Sequence, residues 1–233
     1  MKLKLKLITL LMVVTAGSAL GQIGNTTGTM NEVLKITGGY KDTDGTPYLI
    51  DDYKNGFLYD KEGKAKPVFL KYDTYKEEVE VFNDGNPLLI DKRLYPRFVI
   101  EYIDTKTKRK VHYEFTNEIS IPGMEPDKYV QVVVDGDKYK LIKTYSTVLL
   151  QSQDQGYGGV VTNNYFDNNE DYFIYQVGLD AVELKRLKNK DILKAISDDG
   201  TIKNWFKEKR VKIRGEADMA EFINYLNSGQ FMQ

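Results

Sequence analysis

Between Thr46 and Leu187, hydrophobic residues recur mainly at every second position, in short runs broken by turn residues. That is the pattern of half-buried β-strands. Val68-Phe69-Leu70-Lys71-Tyr72 and Glu78-Val79-Glu80-Val81-Phe82 read as neighbouring strands, the second ended by Asn83-Asp84-Gly85-Asn86. Phe98, Ile100 and Tyr102 alternate along the next strand, and Val111, Tyr113 and Phe115 along its partner, with Asp104 to Lys108 as the connection. Val130 to Val134 and Asp137 to Leu150 flank Asp135-Gly136, a pair suited to the positive φ angles of a two-residue type I′ hairpin. Further strands are expected at Val160 to Phe166, Asp171 to Val177 and Val182 to Leu187, with the Gly- and Asn-rich stretch Gln151 to Asp171 read as one mobile loop. About ten strands without long intervening helices predict an antiparallel β-sandwich or a barrel-like sheet.

After Lys188 the period changes from two to about 3.6. Ile192, Leu193 and Ile196 make one short helical face; Ile202, Trp205 and Phe206 make a second, after Asp198-Asp199-Gly200. Met219, Phe222, Ile223 and Leu226 have the spacing of an amphipathic helix, and Gly229 stands where a C-terminal cap belongs. The chain is thus predicted as mainly β with a small C-terminal α part, an α+β protein. Helices this short are not stable alone, so they are expected to pack on each other or on the sheet.

The N-terminus follows neither pattern. Lys2, Lys4 and Lys6 precede the apolar stretch Leu7 to Ala16, and Ala19-Leu20-Gly21 supplies small residues for a signal peptidase, with cleavage expected before Gln22, or before Leu20. The organisation read from the sequence is a cleaved signal peptide over residues 1–21, a β-rich domain over 22–187 and a helical appendage over 188–233. No later stretch has transmembrane length.

Removing the signal leaves 30 basic and 34 acidic groups. Residues 22–180 hold 19 basic and 26 acidic groups, a balance of −7, and residues 181–233 hold 11 and 8, a balance of +3. The two parts are expected to attract each other. With no cysteine there is no disulfide framework, thiol nucleophile or cysteine-ligated zinc, and one histidine, His112, leaves no second imidazole for a triad or a multi-histidine metal site. Alternation places His112 on the face opposite Val111 and Tyr113, beside Lys110 and Glu114, as a solvent-facing strand residue.

Asp42-Thr43-Asp44-Gly45 with Asp51 and Asp52 resembles part of a calcium loop, but Tyr40 stands at the first ligand position and an extended segment follows, so the stretch reads as a turn. Glu78 and Glu80 share one strand face about 7 Å apart. That separation suits a glycosidase acid and base, yet Glu-Val-Glu-Val is also the ordinary writing of a strand with one wet face. Seventeen tyrosines against eleven phenylalanine and tryptophan residues favour amphipathic contact surfaces. The candidate binding loop is the one bearing Tyr157, Asn163, Asn164, Tyr165 and Phe166. Lys203, Lys207, Lys209, Arg210, Lys212 and Arg214 make a basic run suited to anionic lipid headgroups or to the acidic sheet domain. No catalytic motif, cofactor fingerprint or nucleic-acid signature is found.

Gly45-Thr46-Pro47-Tyr48-Leu49, the block from Val68 to Val81 containing Tyr75-Lys76-Glu77-Glu78-Val79-Glu80-Val81, and the closing short Lys-rich helices resemble a family of exported, signal-bearing β-rich proteins of Bacteroidota whose function is unknown. Gln22 after the cleavage site is similar to what those bacteria use. The resemblance implies an envelope location and supplies no functional residues. A helical C-terminus is unlike the β-sandwich sorting domain of that phylum, which favours the periplasm or the inner face of the outer membrane over an extracellular address. Charges on both strand faces argue against an outer-membrane barrel. The leading expectation is a non-enzymatic binding or structural module for an envelope protein or polymer, without cofactor or nucleic acid and with at most peripheral membrane contact. The alternatives are a carboxylate-dependent glycan or peptidoglycan hydrolase and a β-barrel carrier of an apolar ligand.

Overall fold

The computed structural model describes residues 40, 43–156, 159–196, 198 and 200–229, with side chains outside 154–161. Every one of them belongs to the unit Glu32–Gln233. The expected signal peptide and its cleavage site, Asp42 and Tyr157 lie outside the described residues.

Among the described residues, eleven strands and three helices follow one another in chain order. The strands are β1 (Thr43–Asp44), β2 (Lys54–Tyr59), β3 (Ala65–Asp73), β4 (Glu78–Asn83), β5 (Asn86–Leu89), β6 (Arg97–Ile103), β7 (Lys110–Thr116), β8 (Val130–Asp135), β9 (Tyr139–Gly156), β10 (Gly159–Gln176) and β11 (Ala181–Leu184). The helices are α1 (Asn189–Ala195), α2 (Thr201–Glu208) and α3 (Glu216–Asn227). All strands join one sheet in the order β1-β10-β9-β8-β7-β6-β2-β3-β4-β5, with β11 also on β10. The α+β class expected from the sequence is observed. The sheet is mixed rather than purely antiparallel, because β1 runs parallel to β10 through Thr43–Asn164 and Asp44–Tyr165.

The segment that follows β1 draws the sheet back on itself. Tyr48 bridges Asp73, Leu49 N–H donates to Tyr72 O at 3.0 Å, and Thr74 N–H donates to Pro47 O at 2.8 Å. Residues 43–49 therefore touch β10 at one end and β3 at the other, and the hydrogen-bonded path returns on itself in the manner of a barrel. Inside, Phe98 stacks on Phe115 at 4.6 Å, and Tyr129 meets Phe98 edge-on at 4.9 Å. Tyr72, Leu58, Leu70 and Ile100 complete this fully buried interior.

The helical end shares a core with the sheet. Val134, Leu141, Ile174 and Leu184 from the strands cluster with Ile192, Ile202, Phe206, Met219, Phe222 and Ile223 from the helices. The Asp198 carboxylate accepts from Ile202 N–H (2.8 Å) and Lys203 N–H (3.1 Å), satisfying donors at the start of α2. Gly229, at φ 71°, takes the left-handed conformation expected of a residue just past the end of α3.

Two local expectations change. The β8–β9 hairpin exists, but Asp135 pairs with Lys140, so residues 136–139 make the connection and Gly136 is not left-handed. A Cβ at Gly136 would lie 2.0 Å from the Asn227 amide, so glycine is needed there for close approach rather than for a turn. The two positive φ angles of a type I′ turn occur instead at Asp84 (48°) and Gly85 (83°), between β4 and β5.

Candidate interaction site

The stretch Gln151 to Asp171 is no loop. It forms the outer halves of β9 and β10, whose register runs unbroken from Tyr139–Gln176 to Gly156–Gly159. Gly and Asn are poor strand formers, but here a long continuous ladder and the β-branched Val148, Val160, Val161 and Thr162 override local propensity. Strand β8 covers β9 only as far as Lys143, β11 covers β10 from Tyr172 onward, and β1 adds two pairs. Beyond Thr147 the hairpin leaves the body of the sheet as an arm, flanked by β1 at the level of Leu150 and Gln151 and two-stranded from Ser152 outward. Residues 148–156 span about 30 Å at roughly 3.4 Å per residue.

The base of the arm is held by a buried hydroxyl chain. The Thr74 hydroxyl donates to Pro47 O at 2.7 Å and sits 2.6 Å from the Thr147 hydroxyl. Thr147 in turn donates to Asn168 Oδ1 at 2.6 Å, and Asn168 Nδ2 donates to Thr46 O at 3.3 Å. Phe166 is buried there, its ring 5.0 Å from Tyr40 and 5.5 Å from Tyr75. Of the candidate binding residues, Phe166 is thus a packing residue, Asn163 and Tyr165 are exposed, and Asn164 is half-buried, all on β10 rather than in a loop.

What sequence reasoning missed is the opposite strand. Val148, Leu149 and Leu150 are 42%, 40% and 38% exposed. Neighbouring strand residues point to opposite faces, so exposure of all three means that both faces of the arm are open. The signal was present in the composition: from Thr144 to Phe166 the only charged residue is Asp154, in a chain that is 29% charged.

The carboxylate pair has a different fate. Glu80 is 5% exposed and accepts from Tyr48 OH at 2.9 Å and Tyr53 OH at 3.0 Å, with Lys71 Nζ at 3.2 Å. The register explains the grouping, since Lys71 pairs with Glu80 across β3 and β4 while Tyr48 bridges Asp73 on the same face. The wet-face reading of Glu80 is therefore corrected: the 43–53 segment lies over it. Lys71 Nζ also stands 3.6 Å from the Tyr48 ring centroid, a cation–π contact. Burial first, then the Glu80 carboxylate, pushes the Tyr48 and Tyr53 phenols well above their usual range. Tyr40 behaves likewise through burial and its 2.5 Å hydrogen bond to Asp73. Burial also raises the Glu78 carboxyl, with Lys76 opposing.

The helical end offers a groove of about 560 Å³ over Trp205, Phe222 and Tyr225, with Lys212, Asp218 and Glu221 on its wall. The six basic residues from Lys203 to Arg214 are exposed. Among the described residues, the ion pair that spans sheet and helices has the sign opposite to the expected attraction: Lys143 on β9 meets Glu216 of α3 at 3.2 Å and Glu170 at 2.8 Å. Burial works against the Lys143 charge, but Glu170, Tyr145, Tyr172 and Glu216 together outweigh it and hold the ammonium above its usual value. His112 is exposed and bonded to Glu101 at 2.8 Å.

Asp44 lies on β1 beside the left-handed Gly45 (φ 80°). Among the described residues no group of three or more His, Asp or Glu side chains is placed to hold a metal ion. No helix among them is long and apolar enough to cross a membrane. No protein-family model, curated protein or solved structure matches the chain.

Proposed function

We propose that this chain is an exported, non-enzymatic binding or structural module of the bacterial cell envelope, and that the β9–β10 arm is its contact element. One observation carries the reading: a β-hairpin arm with open apolar positions on both faces at its root, two-stranded toward its tip, projects from a closed, well-packed body. Two strands alone are marginally stable in water, and long uncharged edges are features that proteins usually blunt. An arm kept in this form gains stability when something covers it. The envelope address rests on the N-terminal export pattern and on the resemblance to exported proteins of Bacteroidota.

The hydrolase and carrier readings have less support. Both Glu80 oxygens are held by Tyr48, Tyr53 and Lys71, and the barrel interior is filled by Tyr72, Phe98, Phe115 and Tyr129. The test is a photocrosslinking amino acid placed at Tyr165 of the full-length chain in intact cells, with the exposed Ile103 as the control position. A discrete adduct from Tyr165 and none from Ile103 is expected. Equal labelling at both positions, or none at either, would overturn the arm as the contact element.

A further inference from the structure

We infer that the arm's partner is a second copy of this chain, joined edge to edge through β9 in an antiparallel, two-fold contact. The inference rests on the arm being the contact element and names what it contacts.

Three features of the arm favour a like partner. The first is an open edge. From Val148 to Gly156, β9 pairs with β10 alone, leaving a row of backbone N–H and C=O groups on its other side. The β10 edge is less available, because β1 already occupies Asn164 and Tyr165. The second feature is the absence of the devices that protect such an edge. No proline, lysine or arginine lies between Thr144 and Phe166, and the β9–β10 register contains no bulge.

The third is the charge pattern, which separates a second copy from another partner. A two-fold contact sets a segment against itself, so the net charge of that segment faces the same net charge on its copy. An edge rich in lysine or glutamate would repel its copy, whereas this one carries the single acid Asp154. A partner recognised by charge would find almost nothing to hold. What the edge does offer is Val148-Leu149-Leu150 and the amides of Gln151 and Gln153, which are compatible with themselves.

The test uses the chain without residues 1–21, at micromolar to sub-millimolar concentration. Sedimentation equilibrium is expected to show a monomer–dimer equilibrium. Leu150→Lys puts a positive charge on both of the apolar segments that the dimer brings together and is expected to weaken it by roughly a hundredfold, while the melting temperature in dilute solution stays unchanged. Because the chain has no cysteine, Gln151→Cys is a clean reporter. It should form a disulfide-linked dimer under mild oxidation, and Lys207→Cys on exposed α2 should not. A purified chain that sediments as a monomer throughout, or a dimer indifferent to Leu150→Lys, would overturn self-pairing. Adducts from Tyr165 in cells would then still support the arm as a contact element for a different partner, so the two readings fail separately.

Discussion

At the scale of single residues, Glu78 and Glu80 show how little a strand's writing says about the surroundings of its side chains. They are two positions apart on one face, yet Glu80 is enclosed by Tyr48, Tyr53 and Lys71, whereas Glu78 is half-buried with its charged form disfavoured. Opposite responses to the same substitution follow. Glu80→Gln leaves Lys71 without its carboxylate in a buried place, and a broken buried pair costs about 3–5 kcal/mol; urea unfolding should register that loss. Glu78→Gln is expected to raise the melting temperature at pH 7. A carboxyl raised in the folded state contributes stability that declines as pH climbs through its unfolded value, so the gain should vanish at about pH 3, where Glu78 is protonated in the folded and the unfolded chain alike. Equal effects of the two substitutions at pH 7 would contradict the different surroundings of Glu78 and Glu80.

Among elements, the informative junction is between α3 and the β8–β9 connection. Asn227 Oδ1 accepts from Lys138 N–H (3.1 Å) and Tyr139 N–H (2.9 Å), and Nδ2 donates to Tyr139 O (2.9 Å) and Ile223 O (2.9 Å). Gly136 leaves room for that amide. Gly136→Ala should cost about 1–3 kcal/mol through overpacking. Asn227→Ala should cost a similar amount through lost hydrogen bonds. Once Asn227 is truncated, the methyl group at position 136 has space, so the double variant should be more stable than the sum of the two by roughly 0.5–3 kcal/mol. Strict additivity across the four chains would contradict direct contact. The strands and helices themselves were largely legible: alternation located β3, β4, β6, β7 and β8, and the 3.6 period located α1, α2 and α3. The arm was not, because its Gly, Asn and Gln residues have weak strand preference alone and are held by pairing with each other.

For the whole molecule, the many tyrosines make a collective prediction. Burial foremost, and neighbouring carboxylates at several sites, hold the phenols of Tyr40, Tyr48, Tyr53, Tyr72, Tyr129 and Tyr145 above their usual value, and push Tyr102 and Tyr172 up to about 12. The unfolded chain therefore releases phenolic protons near pH 10 while the folded chain keeps them, so stability is intact below pH 10 and falls as pH rises beyond it. Phenolate absorbance of the native protein at pH 11 should fall short of full ionisation and jump when denaturant is added. Seventeen tyrosines ionising together near pH 10 in the native state would show the phenols to be exposed.

Periodicity alone determined the strands β3, β4, β6, β7 and β8, the three helices, where the change between the two kinds of element falls, and which helical faces are apolar, because those properties depend on residues a few positions apart. Only the tertiary structure decided that Glu80 is enclosed, that Gly136 answers to Asn227, that residues 43–49 draw the sheet closed and that the arm is left with an open edge. Tyr48 lies 32 positions from Glu80, and Asn227 lies 88 from Tyr139. Burial and the freedom of an edge are set by neighbours at that distance along the chain, and local alternation carries no record of them.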